Sequence, residues 1–194
     1  PEVSMIAMHY RGYGLSEGRP SEEALYVDAL RLVDQVHKEF PEKRIVVFGR
    51  SLGSGVALYA AAHRPDVVGH VILSTPYDSV EAVAKRHYAW VPVRQLLKHK
   101  FDSMRLAGKI HAPVTMITAG KDDLIPRAHA YNLFQALGSL DKQWIEVEQA
   151  DHRTIHDWNR TWRGIRQRLA RVEYCRLHDP QGVMTCQYSL PLEP

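Results

Sequence analysis

The sequence predicts an α/β fold, a three-layer α/β/α sandwich around a mainly parallel sheet. Apolar runs of strand length alternate with amphipathic stretches of helix length from about residue 3 to residue 172, which is the order that βαβ units impose. The chain of 194 residues is 45% hydrophobic and 24% charged, enough for one domain with a full core. Its polar, glycine-containing loops also fall after strand-like runs, where open parallel sheets carry their sites.

The elements follow in order. Val3 to His9 reads as the first strand and leads into a glycine-rich turn from Arg11 to Gly18 and Pro20. Ser21 with Glu22 and Glu23 marks a helix start, an N-cap followed by first-turn acids. Ala24, Val27, Leu30 and Val33 then lie along one face of a helix running to about Phe40. Arg44 to Phe48 reads as a buried parallel strand, and Gly49 to Gly55 turns the chain into a small-residue helix, Val56 to His63. Val67 to Leu73 is the next strand. Tyr77 to Ile110 has mixed helical pattern and reads as a short cap-like insertion. Val114 to Thr118 and Gln143 to Val147 are strands, separated by a helix near Ala128 to Leu137.

The last helix shows the clearest period. Ile155, Trp158, Trp162, Ile165, Leu169 and Val172 form one apolar stripe, while Arg160, Arg163, Arg166, Arg168 and Arg171 lie mostly off it, on an expected solvated face. The organisation is therefore a domain over 1–172 and an irregular tail over 173–194, to which no function is assigned. The chain starts at Pro1 and enters a strand pattern almost at once, so the domain is expected to be N-terminally incomplete and to lack the first strands of its sheet.

Composition excludes several function classes. A net charge of +3 is too weak a surplus to imply nucleic acid. No apolar run approaches the roughly 18 residues of a membrane span. The two cysteines, Cys175 and Cys186, both lie in the tail, so no disulfide framework holds the core and a cytoplasmic location is expected. No cluster has metal-ligand spacing and no glycine loop cradles phosphate, so neither metal nor cofactor is expected. Oligomeric state is left open.

The chemistry concentrates at Gly49-Arg50-Ser51-Leu52-Gly53, a G-x-S-x-G pentapeptide between a strand and a helix. This is the sequence of a nucleophile elbow, which projects a serine hydroxyl above the sheet. The flanking glycines are expected where a Cβ would collide with the neighbouring strand or helix. A serine needs a base, and the base an orienting acid. His152 and His156, among eleven histidines, follow the last strand, and His152 is the candidate base because His156 falls at the final helix. The acid is Asp122 or Asp123. Counting back four from Pro126 favours Asp122, counting three from Gly120 favours Asp123, and Asp78 is a distant third. The backbone N–H of Leu52 supplies one oxyanion donor by position.

These residues resemble the α/β-hydrolase superfamily, more narrowly the α/β-hydrolase-domain proteins related to serine aminopeptidases and monoglyceride lipases. The resemblance is carried by Tyr10 to Gly18, Gly49 to Gly53, Ser74 to Ser79, Gly120 to Pro126 and Ala150 to His152. It implies a serine hydrolase that cleaves a carboxylic ester, thioester or small amide through an acyl-enzyme on Ser51, with a small-molecule acyl substrate. In such proteins a His-Gly loop before the first segment gives the second oxyanion donor, and that loop has no counterpart here. The alternative is therefore a hydrolase-fold binding or scaffold protein, or a fragment, impaired in catalysis. Ala150-Asp151 also departs from the glycine common before the histidine. Tyr88 to Val93 with Leu96 and Leu97 sits where a cap would lie, and suits an acyl chain or core packing alike. Arg50, Tyr77 and Trp90 are the candidate pocket residues.

Overall fold

In the computed structural model, which describes residues 4–174, four strands form one parallel sheet in the order β1-β2-β3-β4. They are β1 (Ile45–Arg50), β2 (Val68–Ser74), β3 (Val114–Ala119) and β4 (Lys142–Val147). The helices are α1 (Glu22–Glu39), α2 (Leu52–His63), α3 (Val80–His87), α4 (Val93–Leu96), α5 (Met104–Ala107), α6 (Arg127–Ala136) and α7 (Asn159–Tyr174). A 3₁₀ turn over Thr154–Asp157 precedes α7.

Alternation along the strands divides the core between two faces. Val71, Leu73, Val114 and Met116 point to one side, where they pack with Leu25 and Val33 of α1, Val56 and Leu58 of α2, Ala107 of α5 and Leu133 of α6. Ile72, Ile117, Ile145 and Val147 point to the other, against Ile155 and Ile165. Helices thus cover both faces, which is why the inner strand β2 carries the continuous apolar stretch Val71-Ile72-Leu73. Each fully buried aliphatic side chain stabilises this arrangement by roughly 1.5–3 kcal/mol relative to exposure.

Local sequence accounts for the element ends. The Ser21 side chain caps α1 by accepting from Ala24 N at 3.2 Å, with Glu22 and Glu23 in the first turn. Arg11 then pairs with Asp28 on the same helix and fixes the glycine-rich turn against it.

Three expectations change. Residues 4–9 of the expected Val3–His9 strand join no ladder, and Met5 is 89% exposed. A strand exists only with a partner, and none of the four strands pairs with this segment; Val3 itself lies outside the described residues. The last helix begins at Asn159 rather than near Ile155. Its preceding turn tightens to 3₁₀, leaving Ile155 buried and both Trp158 and Trp162 partly exposed. Arg168 is not solvated but buried, paired with Asp141 just before β4, because α7 crosses the sheet at that point. The side chains of Arg171 and Val172, and the tail from Cys175 with Cys186, lie outside the described residues. Among the described residues no helix is long and apolar enough to cross a membrane.

Candidate active site

The carboxyl ends of β1, β3 and β4 converge on one edge of the molecule, and each ends in a loop that delivers one side chain. Ser51 lies between β1 and α2 with φ 49° and ψ −122°, a left-handed backbone that costs a non-glycine residue of order 1–3 kcal/mol. Hydrogen bonds hold it there. Ser51 N donates to Ser74 O at 2.9 Å, while Ser54 N and Ser54 Oγ both donate to Ser51 O, at 2.8 and 2.6 Å. A Cβ on Gly49 would stand 2.3 Å from Gly53 O and 2.7 Å from Ala57 Cβ, so glycine is what lets α2 rise so close to β1. Gly53 is less constrained than expected. A Cβ there would meet only the Tyr10 hydroxyl, at 3.2 Å.

Ser51 Oγ lies 3.0 Å from His152 Nε2, and His152 Nδ1 donates to Asp122 Oδ2 at 2.8 Å. The other Asp122 oxygen accepts from Leu124 N and Ile125 N at 3.1 and 2.8 Å, which orients the carboxylate within its own loop. Asp122 makes the contact to His152, whereas Asp123 is exposed to solvent. The loops that carry Asp122 and His152 also touch each other. Gly120 N donates to Val147 O and Lys121 N to Ala150 O, at 3.0 and 2.8 Å, and a Cβ on Gly120 would lie 2.5 Å from Glu148 O. Asp151, beside the candidate base, accepts from Arg153 N, Thr154 N and Thr154 Oγ1. Those bonds, Thr154's first, hold its carboxyl below the usual range.

Leu52 begins α2, so its N–H belongs to the first turn, whose amides have no intrahelical acceptor. The three candidate pocket residues are not brought together. Tyr77 is buried, its hydroxyl donating to Leu52 O at 3.1 Å and packing over Gly55. It supports the start of α2 from within the core. Trp90 is 86% exposed on the turn between α3 and α4. Arg50 Nη2 donates to His152 O and Arg153 O. Two surface grooves, of about 610 and 510 Å³, are lined by residues between Met8 and Gln35 and by β4 with α7; neither contains Ser51, Asp122 or His152.

Two further polar pairs surround this arrangement. Asp78, which sequence reasoning weighed only as an acid, accepts from His129 Nδ1 at 2.9 and 3.0 Å and from Ser79 N at 2.6 Å. His129 stands three residues after Pro126 on the helix that follows the Asp122 loop, and no sequence motif marks it. Ser74 Oγ lies 3.1 Å from His156 Nε2. Burial, and after it the Arg50 charge, lowers the pKa of His156.

Comparisons with known proteins place the chain in a family. The family described as serine aminopeptidase S33 matches residues 1–106. An uncharacterized protein of Mycobacterium tuberculosis is 34% identical over 152 residues, 77% of this chain and 53% of that protein. An uncharacterized membrane protein of Saccharomyces cerevisiae is 32% identical over 155 residues, 77% of this chain and 55% of its own length. The chain thus spans about half the length of these curated relatives. A Paleococcus ferrophilus monoacylglycerol lipase shares the fold with a TM-score of 0.57 at 20% identity, over 80% of this chain and 76% of that one.

Proposed function

The chain belongs to the serine aminopeptidase S33 family, within the α/β-hydrolase superfamily, and from that premise we propose that it is the Ser51-bearing part of a serine hydrolase that cleaves a carboxylic ester. The observation that carries this reading is one imidazole bridging a hydroxyl and a carboxylate: His152, 3.0 Å from Ser51 Oγ and 2.8 Å from Asp122 Oδ2.

In this mechanism Ser51 Oγ attacks the acyl carbonyl while His152 Nε2 takes its proton. Asp122 holds the Nδ1–H tautomer and stabilises the imidazolium. The oxyanion of the tetrahedral intermediate faces the Leu52 N–H; one such donor is typically worth about 10²–10³ in turnover. Collapse expels the alcohol, which leaves with the proton from His152. Water then attacks the Ser51 ester, losing a proton to His152, and the acid departs as Ser51 Oγ is reprotonated. A thioester or small amide would follow the same sequence of steps.

The segment 77–110 acts in this reading as a short apolar lip. Tyr88, Trp90 and Leu96 are exposed, as is Leu124 of the acid loop, whose carbonyl accepts from His87 Nε2 at 2.8 Å. Exposed aromatic and aliphatic side chains on a segment that His87 ties to the Asp122 loop suit an acyl chain.

A fluorophosphonate probe tests the nucleophile. Wild-type protein is expected to be labelled on Ser51 and Ser51→Ala not at all; equal labelling of both overturns the assignment. A series of p-nitrophenyl esters tests the lip. Trp90→Ala is expected to raise KM severalfold for medium and long acyl chains and leave acetyl ester hydrolysis unchanged. Equal effects across chain lengths would remove Trp90 from substrate binding.

A further inference from the structure

We propose that Arg50 is a positioning residue that fixes the loop carrying His152 to the strand that ends at the nucleophile. This deepens the reading of Ser51 and His152 given above and rests on it.

Arg50 is the last residue of β1, and the parallel ladder holds it opposite Ser74. Its guanidinium reaches 102 and 103 residues along the chain, where Nη2 donates to His152 O at 2.9 Å and to Arg153 O at 3.1 Å. These are the carbonyls of the base itself and of the next residue. The other hydrogen bonds of the loop backbone at residues 150–154 act elsewhere. Ala150 N bonds Val147 O, and Asp151 bonds Arg153 and Thr154, so both tie the loop to itself. Lys121 N bonds Ala150 O and ties it to the acid loop. Arg50 ties it to β1, the element that fixes Ser51.

The chemistry of the side chain fits this task. A guanidinium is always charged and holds its donors in a rigid plane, so one nitrogen can serve two adjacent carbonyls without reorganising. Among the described residues no carboxylate pairs with Arg50, so no anionic side chain draws it away from the two carbonyls. Position matters because a base must lie within hydrogen-bond reach of the proton it takes. A misplacement of about 1 Å can cost on the order of 10²-fold in rate. The side chain therefore acts through His152 and touches no reacting atom.

The test compares full-length wild-type protein with Arg50→Ala and Arg50→Lys, using the rate of fluorophosphonate labelling and amide hydrogen exchange. Arg50→Ala is expected to be labelled about 10- to 100-fold more slowly, and to hydrolyse neutral esters with lowered kcat and little change in KM. Exchange at Arg153 and Thr154 should rise about tenfold or more while Ile45–Phe48 keep wild-type protection. Arg50→Lys, which retains the charge and one donor group, should fall between. Wild-type labelling and exchange in Arg50→Ala overturn the proposal, as does a loss confined to anionic esters, which would make Arg50 a reader of substrate charge. If Arg50→Ala loses protection in β1 as well, Arg50→Lys decides by the same two readouts. Failure of wild-type protein to label overturns the nucleophile reading instead, and loop exchange then settles the position of Arg50 alone.

Discussion

At Ser51 the backbone conformation is held by bonds to two neighbours, Ser74 and Ser54, and by the absence of a side chain at Gly49. Gly49→Ala would drive a methyl group to 2.3 Å from a backbone oxygen that cannot yield. We expect it to cost at least the 1–3 kcal/mol typical of overpacking, measured as a lowered urea midpoint. Gly53→Ala, facing only a hydroxyl at 3.2 Å, should cost less than Gly49→Ala; the reverse order would mean that α2 shifts freely over β1. The two adjacent aspartates separate in the same way. Asp122→Asn can still accept from Leu124 N and Ile125 N through its amide oxygen, so the loop survives. Its amide can also face His152 with a donor and favour the wrong tautomer. The expected loss in kcat is about 10⁴-fold, whereas Asp123→Asn, exposed and outside the contact, should stay within about twofold, a margin set by the small effect usual for surface substitutions. Steady-state ester hydrolysis by the two variants decides between them.

At the scale of elements, what could be read from sequence is what is determined locally. The helix at Glu22–Glu39 announces itself through Ser21 and its first-turn acids, and the strand-to-helix turn at Ser51 through five consecutive residues, because in both the determining contacts lie within a few positions. Strands flanked by other strands were legible within a residue or two for the same reason: burial on both faces leaves a run in which apolar residues predominate. The segment at Val3–His9 has such a run too, but pairing is a property of the neighbour and not of the run. Arg168 reads as one more basic residue on a helix face until α7 is laid across the sheet. Arg50 and His129 were opaque because their partners lie 102 and 51 residues away. The interior of the α7 interface supplies a further test. His70, on the face of β2 that α7 covers, is fully buried with Nε2 3.0 Å from Thr115 Oγ1. Burial, then the Arg168 charge, pushes its pKa down to about 4. Between pH 6.5 and 4 the unfolded chain therefore binds a proton that the folded chain refuses. Stability from this group is complete above pH 6.5 and is lost as pH falls through that window. His70→Gln should remove on the order of 2 kcal/mol from the stability difference between pH 7 and pH 4.5, read from urea unfolding at both values. An unchanged difference would mean His70 is protonated in the fold.

Across the whole molecule, the candidate site and the core respond to different forces. The core is two apolar layers on one sheet, each closed by several elements, so it should melt cooperatively. The site is three loops from three strands, joined by a few hydrogen bonds: Arg50 to the base loop, Lys121 to Ala150, His87 to Leu124, and His129 to Asp78. None of these buries much apolar surface, and loops joined mainly by partly exposed hydrogen bonds belong to the low-stability end of a protein. Each link also crosses between elements, so opening any one loosens the His152 geometry while leaving the sheet intact. Function should therefore fail first on partial denaturation. In a urea titration of the full-length protein, fluorophosphonate labelling of Ser51 is expected to reach its midpoint below that of far-ultraviolet circular dichroism. The gap should widen in Arg50→Ala and in His129→Ala, whose partners hold the base loop and the acid-loop helix respectively. Coincident midpoints in all three proteins would mean that the loops and the sheet form a single cooperative unit, with the inter-loop bonds no weaker than the core.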